Sequence, residues 1–283
     1  MKVYQTVAGL RQYLLETSSL GKGIVGFVPT MGALHQGHLS LLEASKKQAD
    51  LTVASIFVNP TQFNDKSDYD KYPIQIDADL ELLLKNGCDV VFLPDVTEIY
   101  PTGMEDMPHI DLGFIGATLE AAHRPGHFEG VVQVVKRLLE IVEPDKLFMG
   151  QKDYQQCMVV QRLIDVFNFP IELIICPTLR EADGLAMSSR NMRLNEEERK
   201  SAVKLSQALF YIQKHFKDAD FNRLTAEQIT LLNSDPLLHV EYLTIVNGKT
   251  LEPLSMRQTD LSIVALIAVK DGPVRLIDNL ILQ

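Results

Sequence analysis

IVGFVPTMGALHQGHLSLLEASKKQ, residues 24–48, combines a short apolar run, a glycine-containing turn and a helical pattern. The apolar run at 24–29 ends in Pro29 and predicts a buried strand, whereas the periodicity of residues 38–48 predicts a helix. A strand, a polar turn and a helix in succession form the repeating unit of folds built on a parallel sheet.

The same alternation continues along the chain to residue 176. Further strands are expected at 51–58, 89–93, 146–149 and 171–176, and helices at 7–15, 77–86, 128–142 and 153–168. Gly87 and Pro144 are placed to end two of these helices. Because the strands are short and wholly apolar, both faces of the sheet must be covered. The sequence therefore predicts an α/β fold, a Rossmann-like parallel sheet with helices on both faces, over residues 1–176.

Residues 177–283 follow a different pattern and predict a smaller α+β domain. Asn195 and Glu198 form a capping-box pair at the start of a helix that reaches about residue 216. A second helix is expected at 225–233, and three antiparallel strands at 239–246, 261–270 and 274–282. We expect this domain to act as a lid, with a cleft at the boundary near Cys176.

Composition excludes several classes of protein. The chain carries 27 Lys+Arg against 37 Asp+Glu, a net charge of −10, which argues against a nucleic-acid-binding surface. No apolar run is long enough to span a membrane, and the N-terminus lacks the pattern of a signal peptide. The three cysteines are widely spaced and odd in number, which favours reduced thiols in the cytoplasm.

Ligands of such sheets bind beyond the carboxyl ends of the strands, so the segments that follow each strand are the candidate site. After the first strand, Gly32 and Gly37 let the backbone approach a ligand, and the helix start offers an anion site. His35 and His38 are three residues apart, so both imidazoles can face one bound phosphate. A histidine-rich turn of this kind is otherwise an ordinary exposed turn.

Other post-strand segments carry amides, cations and hydroxyls. Asn59 and Gln62 can bind hydroxyl and carboxylate groups without net charge. Lys152, with Asp153 beside it and Gln156 one turn later, can reach an α-phosphate. The loop 184–191 offers Ser188, Ser189 and Arg190 to a polyphosphate, and the segment 123–127 contributes Arg124 and His127. Each of these segments taken alone is also compatible with a turn, a cap or a linker.

Five segments in order resemble the pantothenate synthetase (pantoate–β-alanine ligase) family: TMGALHQGH at 30–38, FVNPTQF at 57–63, RPGHFEGV at 124–131, GQKDYQQ at 150–156 and READGLAMSSRN at 180–191. The resemblance covers nearly the whole chain. It implies that ATP activates (R)-pantoate as pantoyl adenylate, with release of pyrophosphate, and that β-alanine then displaces AMP to give pantothenate, a step of the coenzyme A pathway. It also implies Mg²⁺ and a homodimer, and no nucleic-acid or membrane partner.

The resemblance assigns roles to individual residues. His38, His35, Lys152 and Arg190 are the expected catalytic residues, and Asp79 is expected near Mg²⁺. Pantoate is expected at Gln62 and Gln156, and β-alanine also at Gln62, with Asn59, Tyr72, Arg124 and His127 around them. The expected ATP-binding residues are Met31, Gly32, Ala33, Leu34, His35, Gln36, Gly37, His38, Gly150, Gln151, Lys152, Asp153, Leu179, Met187, Ser188, Ser189 and Arg190. The family often has Glu where this chain has Gln151.

Two alternatives remain open at this point. Another nucleotidyltransferase or adenylating enzyme with the His-x-Gly-His element would share the phosphate-binding turn but not the amides Asn59 and Gln62. A non-catalytic nucleotide-binding protein would keep the glycines and helix starts but would not need Lys152 or His38.

Overall fold

The computed structural model describes residues 1–283 except 20, 22, 64–68, 70, 71, 106, 107 and 109, and omits the side chains of 18 and 19. The chain divides into two compact units. Unit 1 comprises Met1–Gly150 and Val159–Cys176, and unit 2 comprises Gln151–Met158 and Pro177–Gln283. Unit 2 is therefore built from two separate stretches of sequence.

Up to Cys176 the chain alternates between strands and helices. In chain order, the elements are β1 Lys2–Tyr4, α1 Val7–Ser19, β2 Val25–Thr30, α2 Gln36–Gln48, β3 Leu51–Ile56, α3 Ile76–Lys85, β4 Val90–Phe92, α4 Val96–Ile99, α5 Glu120–His123, α6 His127–Val142, β5 Lys146–Gly150, α7 Tyr154–Phe167 and β6 Glu172–Cys176.

The described strands of unit 1 form one parallel sheet in the order β1-β4-β3-β2-β5-β6. The sequence predicted the parallel sheet, and the structure confirms it. The edge strand β1 was not expected from the sequence, because it has only three residues and they are largely exposed. The strand order reverses direction between β2 and β5, which is the switch point where ligands of such sheets bind.

Both faces of this sheet are covered. All six residues of β3 are buried, and successive side chains of a strand point to opposite faces. Helix α2 packs against β2, β3 and β5, while α6 packs against β2 and α1. Leu41 and Leu42 of α2 join Val28 and Ala54 of the sheet in one apolar cluster. The predicted two-sided burial is therefore confirmed.

Helix α2 begins earlier than the sequence predicted. It starts at Gln36 instead of residue 38, because His35 adopts an extended conformation and caps it. The predicted stops are confirmed at α3 and α6: Gly87 follows α3 with φ +73°, and α6 ends at Val142, two residues before Pro144. His38 is thus the third residue of α2 instead of its first.

Unit 2 contains an antiparallel sheet of three described strands, β7 Leu238–Asn247, β8 Ile263–Asp271 and β9 Val274–Ile281, in the order β7-β8-β9. Helices α8 Glu196–His215 and α9 Phe221–Asn233 pack on it around a shared apolar core. The predicted α+β arrangement is confirmed, although α9 starts four residues before the expected position, where Asp220 caps it.

The predicted capping box of α8 is present. The side chain of Asn195 accepts the N–H groups of Glu197 and Glu198, and Glu198 Oε2 accepts the N–H of Asn195 at 2.9 Å. Of the helices in the described parts of the chain, α8 included, none has both the length and the apolar composition of a membrane span.

The three cysteines are free thiols with buried side chains. Burial raises the pKa of Cys88 to about 12 and that of Cys176 to about 11. Both thiols are therefore protonated at neutral pH and unreactive, which agrees with the expectation of reduced, structural cysteines.

Candidate active site

Two histidines stack at the start of α2. The ring centroids of His35 and His38 are 4.2 Å apart, inclined by 42°. The N–H of Gly37 donates to Nδ1 of His35 at 3.1 Å, and the N–H of His35 donates to Nδ1 of His38 at 3.3 Å. An Nδ1 atom that accepts a hydrogen bond is unprotonated, so the proton of each neutral ring is on Nε2. The turn therefore fixes both imidazoles as Nε2–H donors.

A carboxylate holds the turn that precedes these histidines. Gly32 and Ala33 have φ values of +78° and +50°, a left-handed pair that costs backbone energy at Ala33. Asp79 of α3, only 2% exposed, accepts the N–H of Ala33 at 2.9 Å and that of Leu34 at 2.8 Å. A Cβ on Gly32 would lie 2.9 Å from Asp79 Oδ2, so glycine is required for this approach.

The main-chain N–H groups of this turn are mostly engaged within the protein. The donors are Gly32 to Thr30 Oγ1, Ala33 and Leu34 to Asp79, His35 to His38, Gly37 to His35, and His38 to the carbonyl of His35. The sequence predicted free N–H groups here for a phosphate, and the structure differs because side chains cap them. An anion at this turn would therefore meet chiefly the two imidazoles.

Asp79, which the resemblance places near Mg²⁺, is engaged with the main chain of the turn. Each of its carboxylate oxygens already accepts a main-chain N–H. Across the part of the chain that the structure describes, no three His, Cys, Asp or Glu residues lie close enough to hold a metal ion. Asp79 instead determines the shape of the turn, a role that sequence reasoning missed.

Asn59 and Gln62 lie together after β3, as predicted, but with different environments. Asn59 is 1% exposed; its Nδ2 donates to the carbonyl of Gly130 at 3.1 Å and its Oδ1 accepts the hydroxyl of Tyr100 at 2.9 Å. Gln62 is 9% exposed, and its Nε2 lies 2.7 Å from Sδ of Met31. Asn59 therefore holds the turn, whereas Gln62 lies beside the ATP-binding segment predicted at Met31.

Helix α6 is placed against this turn by a glycine. A Cβ on Gly130 would lie 2.4 Å from the carbonyl oxygen of Thr61 and 2.7 Å from the nitrogen of Gln62. At the start of the same helix, Nδ1 of His127 donates to the carbonyl of Gln62 at 2.9 Å, and the ring is 4% exposed. His127 therefore lies beside Gln62, as the sequence predicted, and Gly130 makes that approach possible.

Tyr72 and Arg124 lie at the edge of this group. The ring of Tyr72 packs edge-on against Phe63 with centroids 5.6 Å apart, directly after Gln62 in the chain. Arg124 follows α5 as its C-cap, and its carbonyl accepts the N–H of His127 at 3.1 Å. Both residues thus connect to the Gln62 turn through their neighbours.

In unit 2, Lys152 lies in a 3₁₀ turn formed by Gln151–Asp153, just before α7, in which Gln156 is half-buried. A cleft of this unit is lined by Lys152 together with Ser188 and Arg190. Arg275 and Asp278 of β9 line the same cleft and were not expected from the sequence. The structure therefore brings together three of the residues predicted to contact phosphates.

The segment 179–191 is a closed loop. The N–H of Met187 donates to the carbonyl of Leu179 at 2.9 Å, and Arg180 pairs with Ala186 in an antiparallel bridge. Ser188 caps the 3₁₀ turn Ser189–Arg193 and accepts the N–H of Arg190 at 3.3 Å. Leu179 and Met187 are thus neighbours within this loop.

Comparison with known proteins gives a consistent result. The model of the pantoate-beta-alanine ligase family matches residues 2–281. A pantothenate synthetase of Cytophaga hutchinsonii is 46% identical over 279 residues, 98% of each chain. One of Porphyromonas gingivalis is 43% identical over 281 residues, 99% of each chain.

Solved structures agree with these relatives. The crystal structure of a pantothenate synthetase from Thermus thermophilus has a TM-score of 0.89 and 40% identity, covering 99% of both chains. A pantoate-beta-alanine ligase from Francisella tularensis, complexed with beta-gamma ATP and beta-alanine, has a TM-score of 0.79 and 34% identity, covering 99% of this chain and 97% of that one.

Proposed function

The chain belongs to the pantoate–β-alanine ligase family and joins pantoate to β-alanine with ATP, and we propose that the residues described above carry out its two steps. In the first, a carboxylate oxygen of (R)-pantoate attacks the α-phosphorus of ATP, the bond to the bridging oxygen breaks, and pyrophosphate leaves. In the second, the amine of β-alanine attacks the acyl carbon, loses a proton, and AMP leaves. The products are pantothenate, AMP and pyrophosphate.

The observation that carries the proposal is the fixed tautomer of the two histidines. Because Nδ1 of His35 and of His38 each accept a main-chain N–H, the proton of each ring lies on Nε2, which makes Nε2–H its donor. Donors fixed in advance stabilise charge as it develops in a transition state. We assign His38, with His35 beside it, to the phosphates at the first step. The segment from Met31 to His38 binds ATP through these side chains and its apolar surface.

Lys152 and Arg190 supply positive charge to the same reaction. Both line the cleft of unit 2 with Ser188, whose hydroxyl and that of Ser189 can bind phosphate oxygens. An ammonium group near the α-phosphate offsets charge that develops on its equatorial oxygens. Gly150, Gln151, Asp153, Leu179 and Met187 complete the proposed ATP-binding set.

Pantoate is assigned to Gln62 and Gln156, and β-alanine also to Gln62. An amide can accept from hydroxyls and donate to a carboxylate, which suits both substrates. Asn59, Tyr72, Arg124 and His127 are assigned to the surroundings of the Gln62 turn, where Asn59 and His127 bond to Gln62 and Tyr72 packs against Phe63. Asn59 acts by holding Gln62, since its own polar atoms are used within the protein.

We propose that residues 177–283 act as a lid domain, separated from residues 1–176 near Cys176, because an acyl adenylate must be protected from water. Gly184, with φ +94°, would serve as the hinge of the 184–191 loop. The degree of protection is measurable as the ratio of pantothenate formed to ATP consumed. A ratio near unity supports the lid, whereas futile ATP hydrolysis contradicts it.

Magnesium is proposed to accompany ATP, held by phosphate oxygens and water, as is usual for this ion. The described residues do not form a protein site for it, so no step of the reaction is assigned to a protein-bound metal. Removal of Mg²⁺ by a chelator should abolish turnover and leave the unfolding midpoint of the ligand-free protein unchanged. A shifted midpoint would instead indicate a metal bound by the protein.

We further propose a homodimer in the cytoplasm. The cytoplasmic assignment rests on the three buried free thiols, which suit a reducing compartment. The dimer rests on the family resemblance alone. Sedimentation of the purified protein at micromolar concentration would give about twice the mass of one chain; a monomer mass would contradict it.

ATP–pyrophosphate exchange tests the proposed function most directly. Labelled pyrophosphate should enter ATP only when pantoate is present, and neither β-alanine nor unrelated hydroxy acids should replace it. ATP–pyrophosphate exchange in the absence of pantoate would support the alternative that the chain is another adenylating enzyme. Bound ATP with no exchange would support a non-catalytic nucleotide-binding protein.

A further inference from the structure

Asn279 of β9 is bonded to both residues at the start of the Lys152 turn. Its side chain is 1% exposed. Nδ2 donates to the carbonyl of Gln151 at 2.8 Å and to that of Lys152 at 2.9 Å, while Oδ1 accepts Nε2 of Gln151 at 3.0 Å. The amide therefore uses both of its N–H groups and its oxygen on two consecutive residues that lie 128 and 127 positions earlier in the chain.

These bonds fix the direction of the Lys152 side chain. The carbonyl of Gln151 belongs to the peptide plane before the Cα of Lys152, and the carbonyl of Lys152 to the plane after it. Since each peptide unit is planar, holding both carbonyls determines the backbone dihedral angles of Lys152 and hence its Cα–Cβ bond. The direction of that bond determines where the ammonium group can reach within the cleft.

Asn279 is itself held in one orientation. Its N–H donates to Oδ1 of Asp278 at 2.7 Å. Arg180 donates to both carboxylate oxygens of Asp278, at 2.6 and 3.1 Å, and to the carbonyl of Asn279 at 3.3 Å. Burial raises the pKa of Asp278, and the Arg180 guanidinium opposes that shift. The bidentate pair between Arg180 and Asp278 is geometrically rigid. It holds Asn279 in place, so the side-chain amide of Asn279 keeps pointing at the Lys152 turn.

We propose that Asn279 is a positioning residue for the ligase reaction: it directs Lys152 towards the α-phosphate of ATP without touching the substrate. The inference rests on the proposed function of Lys152. The requirement is chemical as well as steric, because the NH₂ group donates to both carbonyl oxygens at once. A carboxylate of the same shape would repel both.

The first experiment separates positioning from stability. In Asn279→Ala and Asn279→Asp we expect kcat to fall by about 10²-fold, the usual size of effect for a misplaced catalytic group, with the KM for pantoate unchanged. Tyr154→Phe is the matched control, because it removes another buried hydrogen bond of the same segment, from the hydroxyl to the carbonyl of Gly248 at 3.0 Å. The control should lower the unfolding midpoint and keep kcat.

A double-mutant cycle tests whether the effect passes through Lys152. If it does, adding Asn279→Ala to Lys152→Ala should change the residual exchange rate by less than about twofold, since coupled residues are non-additive. A double variant whose activity falls by the product of the two single effects would overturn the inference. An unchanged kcat in both Asn279 variants would overturn it as well. A Lys152→Ala variant with full activity would instead overturn the proposed function of Lys152.

If the Asn279 variants do not fold, Gln151→Ala replaces them. It removes the side-chain bond that orients the Asn279 amide and leaves the main chain of Gln151 and both carbonyl contacts in place. We expect a smaller fall in kcat that again disappears in the Lys152→Ala background. Full activity of Gln151→Ala, with the fold verified by circular dichroism, would contradict the positioning role.

Discussion

Nδ1 of His38 accepts the main-chain N–H of His35 at 3.3 Å, so the second histidine of the pair caps the helix that carries it. The same ring therefore has a structural nitrogen, Nδ1, and a second nitrogen, Nε2, that carries the proton. These two roles are separable by substitution.

His38→Ala should lower kcat by about 10² to 10³-fold, the effect of losing one fixed donor to a developing oxyanion. His38→Asn should lower kcat by as much and yet keep the stability of the wild type, because the Asn carbonyl can accept the N–H of His35 as Nδ1 does. Steady-state kinetics and urea unfolding measure the two effects. His215→Ala, at an exposed position of α8, is the control. Turnover by His38→Asn at the wild-type rate would contradict the catalytic assignment.

Asp79→Asn should distort the Gly32–Ala33 turn. An amide offers only one acceptor to two N–H groups, so one buried donor is left without a partner. We expect a loss of about 1–3 kcal/mol in the free energy of unfolding, the usual penalty for such a donor, and a higher KM for ATP. Asp77→Asn on the exposed side of the same helix is the control. If the two variants have equal stability, Asp79 does not hold the turn.

Gly130→Ala should push α6 away from the Gln62 turn. The added methyl group would meet the Thr61 carbonyl at 2.4 Å, and overpacking of this kind costs about 1–3 kcal/mol. Because Gln62 is proposed to bind pantoate, the KM for pantoate should rise more than the KM for ATP. Glu129→Ala, exposed on the same helix, controls for the change in helix propensity. Equal increases in both KM values would argue against a local effect on pantoate.

Stability should depend on pH through Asp271, a fully buried carboxyl whose two oxygens have no hydrogen-bond partner among the described residues. Burial, reinforced by the nearby Glu198 and Asp235, raises its pKa to about 6. Because the folded state holds this proton more tightly than the unfolded state, its contribution to stability is present below about pH 4 and is lost as pH rises through about 6.

Asp271→Asn should therefore raise the urea midpoint at pH 7.5 and have little effect at pH 4. Asp235→Asn is the control, because its effect on stability should depend on pH in the opposite direction. The bond from Lys204, followed by that from Ser201, lowers the pKa of Asp235 to about 2, so its contribution is present at neutral pH and lost as pH falls towards 2. An Asp271→Asn variant that is less stable than wild type at pH 7.5 would show that the carboxylate has a partner.

Residues 188–190 should exchange their amide hydrogens more slowly when a nucleotide is bound. Their hydroxyls and the Arg190 side chain are proposed to contact phosphates, which would order the 3₁₀ turn that Ser188 caps. Hydrogen exchange with and without a non-hydrolysable ATP analogue measures this. The turn at Asn247–Gly248, outside the proposed site, provides the internal control. Equal exchange in both states would contradict closure over the nucleotide.

Much of the fold was predictable because its signals are local. Apolar strands, Gly87, Pro144 and the Asn195–Glu198 pair each act within a few residues, and the structure confirms the elements they predict. The strand order was not predictable, since pairing between β1 and β4 depends on contacts that no local pattern encodes. The start of α2 was misplaced because His35 is not among the usual capping residues.

The candidate site likewise contains some residues that the sequence reveals and others that it does not. Residues on post-strand segments, such as His38, Gln62 and Lys152, stand out from their chemistry and position. Asp79 and Asn279 do not, because each acts on the backbone of a distant segment and resembles an ordinary helix or strand residue in sequence. Gly130 lies within the RPGHFEGV segment at 124–131, but the close approach that requires a glycine there is visible only from the atoms that it faces.

The separation of Asn279 from Lys152 also has a consequence for protein synthesis. At the usual rate of elongation, 127 residues take on the order of 10 s to emerge. During that interval the lysine turn has left the ribosome without the amide that orients it. If Asn279 positions Lys152 as proposed, a nascent chain that lacks β9 should activate its acid substrate about as slowly as the Asn279→Ala variant.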